Sequence, residues 1–274
     1  MHKPVLLHET IDGLDLDPGE TVVDATYGAG GHTKEILKRF PKVQVVSIDQ
    51  DPGTKALVTG NFRDLDKLLG DLRPDAILLD LGISTDQLED SGRGFSFQKD
   101  EPLDMRMSGA GPTAADILNS WDEHAIELVL RGFGEERFSR KIARVIVDRR
   151  KVKPFKTTFD LVGSVLEVKH RSWRDKIHPA TKTFQALRIA VNEELTALEI
   201  GLEKGFKALK PGGRMAVISF HSLEDRIVKN FFRDKVKEKT AKQVTKKPIT
   251  ASEEELDTNP RSRSAKLRII KKNV

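Results

Sequence analysis

Nine residues, Asp24-Ala-Thr-Tyr-Gly-Ala-Gly-Gly-His32, constrain the fold of this chain more than any other segment. They follow Thr21-Val22-Val23, a short apolar run that reads as a strand, and precede Lys34-Glu35-Ile36-Leu37, which reads as a helix. Gly28, Gly30 and Gly31 therefore fall at a strand-to-helix turn, where backbone can approach a ligand without a Cβ in the way. The N–H groups that open such a helix suit a carboxylate or phosphate. A second strand, 43–48, ends in Asp49, 21 residues after Gly28, the spacing of a ribose-gripping acid in a doubly wound nucleotide fold. A third apolar run, Ala76-Ile77-Leu78-Leu79, ends in Asp80-Leu81-Gly82. Three such strand ends predict an α/β chain with one cofactor crevice at the carboxyl edge of a parallel sheet.

The glycine pattern admits two nucleotides. A dinucleotide fingerprint, G-x-G-x-x-G, needs glycine where Thr33 stands. The glycines instead bunch as Gly-Ala-Gly-Gly with Asp24 on the preceding strand, which resembles the first motif of class I methyltransferases. S-adenosyl-L-methionine is favoured over NAD.

Composition excludes several chemistries. The chain has no Cys, so disulfides, thiolate metal sites and iron–sulfur ligation are out, as is the cysteine nucleophile commonly used to methylate carbon 5 of a pyrimidine. The 7 histidines show no metal-ligand spacing, and no metal is expected. Met1-His2-Lys3-Pro4 does not open a secretion signal, and no apolar run approaches the ~18 residues of a membrane span, so a soluble cytoplasmic protein is expected. The net charge of +5 is uneven. Residues 226–274 carry 15 Lys+Arg against 6 Asp+Glu, and residues 131–156 carry 10 against 3. Two basic patches beside a methyl-donor crevice predict a polyanionic substrate, nucleic acid first.

Beyond Asp80 the strand–helix alternation stops. Pro112-Thr113 opens one predicted helix and Asp122 caps a second. A third, 135–150, has Phe138, Ile142, Val145 and Ile146 inward, and Arg137, Arg140, Lys141 and Arg144 on a basic outer face. Thr157 to His170 is a fourth. A single long helix is predicted from Ala180 to Leu209, stopped by Lys210-Pro211-Gly212-Gly213. Strands follow at 214–220 and 265–270, while 240–262 reads as a polar, mobile loop. The predicted domains are a core at 1–107, a helical insertion at 108–192 and a returning core with a basic end at 193–274.

Further segments carry a more specific resemblance: Gly92-Arg-Gly-Phe-Ser-Phe97, Pro102-Leu-Asp-Met-Arg-Met107, Gly134-Glu-Glu-Arg137, the run His178 to Asn192, Val217 to Lys229, and Asn259 to Arg268. Together with Pro4-Val5-Leu6-Leu7 and the glycine loop, they closely resemble the bacterial 16S rRNA cytosine-N4 methyltransferase family over nearly the whole chain. The resemblance implies a Rossmann-like class I methyltransferase sheet with an all-helical insertion domain. It also implies methyl transfer from S-adenosyl-L-methionine to the exocyclic amine of a cytidine in the decoding region of 16S rRNA of the small ribosomal subunit. By the same resemblance Gly30, Gly31, His32, Asp49, Phe62, Asp80 and Gln87 contact the cofactor. The chain departs from the family where Ser84-Thr85-Asp86-Gln87 replaces the usual Ser-Ser-Pro-Gln, and in a short, Lys-rich stretch between Phe232 and Asn259.

Amino-methyltransferases of other families place prolines and an aromatic ring after the fourth strand. Here Asp80-Leu-Gly-Ile-Ser84 has neither, so Phe95 or Phe97 is the candidate ring for stacking an extruded base. Asp104, Ser219 and His221 are candidate amine-facing groups. Three other readings stand beside this one: an amino-methyltransferase acting on DNA, an NAD-dependent oxidoreductase, and a non-catalytic RNA-binding assembly factor that senses the cofactor.

Overall fold

The apolar runs around the glycine loop form strands in the computed structural model, which describes residues 3–84, 87–88, 91–170 and 177–274. The chain opens with α1 (Leu7–Leu14), β1 (Thr21–Asp24), α2 (Gly31–Arg39), β2 (Gln44–Asp49), β3 (Val58–Thr59), a 3-10 turn (Phe62–Asp64), α3 (Leu65–Leu69) and β4 (Ala76–Asp80). Helices α4 (Ala114–Ser120), α5 (Glu123–Gly134), α6 (Ser139–Arg150), α7 (Thr158–Val168) and α8 (Thr181–Asn192) come next. The chain then continues through α9 (Glu194–Ala208), β5 (Arg214–Ser219), α10 (Ser222–Lys237), β6 (Ala241–Gln243), α11 (Glu253–Thr258) and β7 (Lys266–Lys272).

Two compact units result, one from Met1–Ser84 with Leu195–Val274, the other from Thr85–Glu194. The sequence places the start of the insertion at 108, whereas this division groups residues 85–107 with the helices.

In the first unit the strand order is β3-β2-β1-β4-β5-β7-β6, parallel from β3 to β5, with β7 antiparallel to both β5 and β6. The strands are near-continuous Val, Ile, Leu and Met because both faces are covered. Val23, Ile77, Leu79 and Val217 pack on one side with Leu198, Leu202 and Phe232, while Val22, Leu78 and Ile218 pack on the other with Leu6, Ile11 and Ile36. The strand order reverses between β1 and β4, so the crevice outside their carboxyl ends is the ligand position of an open parallel sheet.

The second unit is built on capped helices. Thr113 and Asp116 form a capping box on α4, Asp122 caps α5, and Thr157 with Asp160 boxes α7. Helix α5 packs against α8 where Gly134 meets backbone: a Cβ there would lie 2.5 Å from the Lys182 carbonyl oxygen. The motif segments 91–107 form a cross-bonded loop. Arg93 donates to the carbonyls of Arg106 and Met107, and Asn192 bonds the backbone of Met105 and Met107.

Several sequence expectations are corrected. The long helix from 180 to 209 is two helices, because Glu193 takes a left-handed conformation (φ 49°) and the Asn192 side chain turns to the 105–107 loop. Hydrophobic 3–4 spacing runs through the break and cannot reveal it. The third helix starts at Ser139, not Glu135, since Glu135 is the left-handed cap that ends α5. Phe138 precedes that helix and stands exposed rather than inward. Residues 240–262 include β6 and α11, with Glu255 Oε1 accepting from the Leu6 amide at 2.9 Å and Asn259 donating to the Lys3 carbonyl at 3.3 Å. Their polar side chains tie distant segments together, which composition reads as a loop.

Candidate active site

The first unit gathers Asp24, Asp49 and Asp80 at the carboxyl ends of β1, β2 and β4, beside the turn 27–31. Gly28 takes φ +52° and Gly30 φ +74°, conformations that cost glycine little. A Cβ on Gly30 would strike the Tyr27 ring at 2.5 Å, and one on Gly31 would strike Pro4 at 2.2 Å. Helix α2 begins at Gly31 with no side-chain cap, leaving its opening amides to be satisfied by something other than a cap residue.

Asp49 shapes the loop directly. Its Oδ2 accepts from the Gly28 amide at 2.7 Å and its Oδ1 from the Asp51 amide at 2.8 Å. Asp24, 1% exposed, accepts from the Thr33 hydroxyl at 2.6 Å. Burial pushes the Asp24 carboxyl above its ordinary value, against the opposing pull of the Thr33 hydrogen bond and of His32. Asp80 is fixed through its backbone, its amide donating to Thr26 Oγ1 at 2.6 Å.

Burial pushes the imidazole of His32, 6% exposed, below its ordinary value, against the opposing pull of Asp24 and of the Val5 carbonyl. Its Nε2 lies 3.1 Å from the Val5 carbonyl oxygen, which can only accept. Nε2 therefore donates to that carbonyl, and Nδ1 lies 3.7 Å from Asp80 Oδ2. Phe62 opens the 3-10 turn after β3, its ring against Gly201, where a Cβ would lie 2.5 Å away. Gly30, Gly31, His32, Asp49 and Asp80 thus come together around one turn.

Ser219 and His221 also belong to this unit but have local partners. The Ser219 hydroxyl lies 3.4 Å from the Lys266 carbonyl across β5–β7. His221 caps α10, Nδ1 accepting from the Glu224 amide, while Glu224 Oε2 accepts from the amides of Phe220 and His221. His221 Nε2 lies 3.1 Å from Glu224 Oε1 but out of hydrogen-bond alignment.

The remaining candidates lie in the helical unit. Asp104 is gripped by Arg106 at 2.7 and 2.8 Å, and that hydrogen-bonded guanidinium holds its carboxyl below the ordinary value. Phe95 is buried with the Arg93 guanidinium over its ring, so it packs the loop. Phe97 is half-buried, stacked on His178 at 4.6 Å and edge-on to Phe184. Arg137, Arg140, Lys141 and Arg144 are all exposed. The Gln87 carbonyl accepts from Ser91, and Thr85 and Asp86, where the chain departs from the family pattern, lie outside the described residues.

Sequence reasoning missed the groups that support this site. In the sequence Thr33 only breaks a dinucleotide fingerprint, yet its hydroxyl holds Asp24. The Val5 carbonyl accepts from His32 Nε2, and Thr26 anchors Asp80. Only Pro4-Val5 carries a signal, as part of the resemblance.

The chain matches the MraW methylase family over residues 1–273. The chain belongs to that family. It is 46% identical over 300 aligned residues to ribosomal RNA small subunit methyltransferase H of Methylorubrum extorquens, covering 97% of this chain and 86% of that protein. The proteins of the same name from Carboxydothermus hydrogenoformans (45% identical, covering 99% of this chain and 97% of that one) and Deinococcus radiodurans (47%, covering 98% and 88%) are similar to it at like extent. As a methylase of this family, the chain takes S-adenosyl-L-methionine as its methyl donor. Among the described residues no helix is long and apolar enough to cross a membrane.

Proposed function

We propose that this chain methylates the N4 amine of one cytidine in the decoding region of 16S rRNA, in the small ribosomal subunit, with S-adenosyl-L-methionine held in the crevice at the glycine turn. The observation that carries the reading is the acceptor character of the crevice: Asp49 and Asp80 stand at the strand ends beside the glycine turn, and Asp49 accepts from the Gly28 amide. A pyrophosphate would meet repulsion there. A ligand bearing a sulfonium, an ammonium and a ribose diol offers cations and donors, and its carboxylate suits the uncapped start of α2. The residues present fit that group and disfavour NAD.

In this reading Asp49 holds the ribose hydroxyls while keeping the Gly28 turn closed, Phe62 flanks the adenine, and Asp80, with His32 beside it, takes the donor hydrogens. The bound donor supplies an electrophilic methyl on sulfur. The protein's task is alignment, because the cytosine amine is a poor nucleophile with a delocalised lone pair, and alignment supplies up to roughly 7–11 kcal/mol in ideal cases. Once methylated, that nitrogen is acidic and its proton passes to solvent without a strong base. An arginine-paired Asp104 is a weak base, so it serves as a positioning residue in the helical unit, and Ser219 and His221, with their own local partners, do so in the sheet unit. Phe97 offers the ring for the extruded base, and Arg137, Arg140, Lys141 and Arg144 take phosphates. The protein works in the cytoplasm, where its substrate is assembled.

Tritiated-methyl transfer to small subunits, naked rRNA and DNA, followed by mass spectrometry of the nucleosides, tests this. The methyl is expected on the cytosine amine of the RNA, the outcome required by a chain with no Cys. A methyl on carbon 5, or transfer only to DNA, overturns it.

A further inference from the structure

Phe138 lies where helical spacing calls for a core residue, yet it is 43% exposed. Arg137 precedes it in the chain and Arg140, Lys141 and Arg144 lie on α6, all exposed, whereas Ile142, Ala143 and Ile146 fill the buried face of that helix. Among these four cations Arg144 meets Glu123 in a loose pair at 3.6 Å. The acid on the helix itself, Asp148, is taken by Lys151 at 2.9 Å.

The backbone under the ring is anchored by a buried charge. Glu136, 3% exposed, accepts from the Phe138 amide through Oε1 at 2.9 Å and from Lys169 Nζ through Oε2 at 2.7 Å. Lys169 is itself tied to the Pro179 carbonyl at 2.8 Å. The desolvated ion pair fixes the backbone that carries the exposed phenylalanine, so the ring is presented from an ordered stretch of chain. The other exposed aromatics among the described residues are Trp121, at the end of α4, and Phe159, whose amide likewise meets a carboxylate, that of Asp100.

From these observations we propose that Phe138 is a stacking platform for an unpaired base of the RNA substrate, with Arg137, Arg140, Lys141 and Arg144 taking the phosphates along one side of the ring. Aromatic rings interleaved with cations are what single-stranded nucleic acid requires, because every base has a π-face and every linkage a charge. The proposal rests on the RNA reading above and adds to it a residue that grips a nucleotide other than the one methylated.

The test uses the full chain with Phe138→Ala, Phe138→Leu and Phe138→Trp, a fluorescein-labelled single-stranded oligoribonucleotide carrying the target cytidine, and a salt series. Phe138→Ala and Phe138→Leu are expected to weaken binding roughly 5- to 150-fold, the range of one base–aromatic stack, and Phe138→Trp to retain it. The salt slope is expected to stay as in the unaltered chain, because a ring releases no counterions, while Arg140→Ala makes it shallower. In methyl transfer the loss is expected in KM, with kcat kept at saturating RNA. Unchanged affinity in Phe138→Ala, full retention by Phe138→Leu, or loss of folded structure in Phe138→Ala by thermal melting each overturns the proposal. Failure of the unaltered chain to methylate RNA instead counts against the proposed function, so the two failures are read separately.

Discussion

Asp49 carries two tasks at once, and its substitution separates them. Asp49→Ala is expected to weaken S-adenosyl-L-methionine binding by about 1–3 kcal/mol without unfolding the protein, measured by calorimetry, since a charge-assisted acceptor and the Gly28 tether both disappear. Asp49→Asn, which keeps one acceptor oxygen, should fall between. His32 gives a pH signature. Its folded pKa lies below the ordinary 6.5, so its contribution to stability is full above 6.5 and is lost as pH falls through the folded value, where the unfolded chain binds the proton first. Asp24, raised above 3.8, acts with the opposite sign, its contribution lost as pH rises through its folded value. Urea unfolding at a series of pH values should therefore show a shallower acid-side loss in His32→Asn than in the unaltered chain. An identical slope would mean that burial does not hold the His32 imidazole below its ordinary value. At this scale the sequence discloses the acids and glycines, because strand ends and turns constrain their own residues. It hides Thr33, Thr26 and Val5, whose roles depend on which distant atom they meet.

Elements are legible where a local signal marks both ends. Thr113, Asp122 and Thr157 announce their helices, and Lys210-Pro211-Gly212-Gly213 does stop a helix, with α9 ending at Ala208. The break at Glu193 is not legible, because the left-handed turn there is set by Asn192 bonding the 105–107 loop, 85 residues away in sequence. The same reasoning applies to Phe138: spacing predicts a buried ring, but the helix begins one residue later. Between elements, the approach of α5 to α8 depends on Gly134. Gly134→Ala is expected to destabilise the protein by about 1–3 kcal/mol in a denaturant titration, since neither the Lys182 carbonyl nor the helix carrying it can retreat cheaply. An unchanged midpoint would show that the two helices can part without cost.

For the whole molecule, charge placement matters more than the net +5. The double variant Arg140→Ala with Arg144→Ala is expected to bind RNA more weakly. Its salt dependence should be shallower by roughly 0.7 for each single-strand phosphate no longer neutralised, while cofactor affinity is unchanged. Wild-type affinity across the salt series would make this face merely solvated. The α/β class and the helical insertion are legible from the order of apolar runs. The inner position of β7 is not, since nothing in a strand's own residues names its neighbours.

That position of β7 governs the order in which a growing chain can fold. Residues 85–194 form a contiguous unit that can close as soon as they have been made. The sheet cannot, because β7 follows every other strand in the chain yet lies between β5 and β6. Leu6 likewise waits for Glu255, and Lys3 for Asn259. During synthesis the helical unit is thus the early folder, and the sheet that carries the strand-end acids becomes complete only after translation has passed β7. A nascent chain arrested before Lys266 would carry a folded insertion on an unfinished sheet, with the edge of β5 open to pairing with other chains.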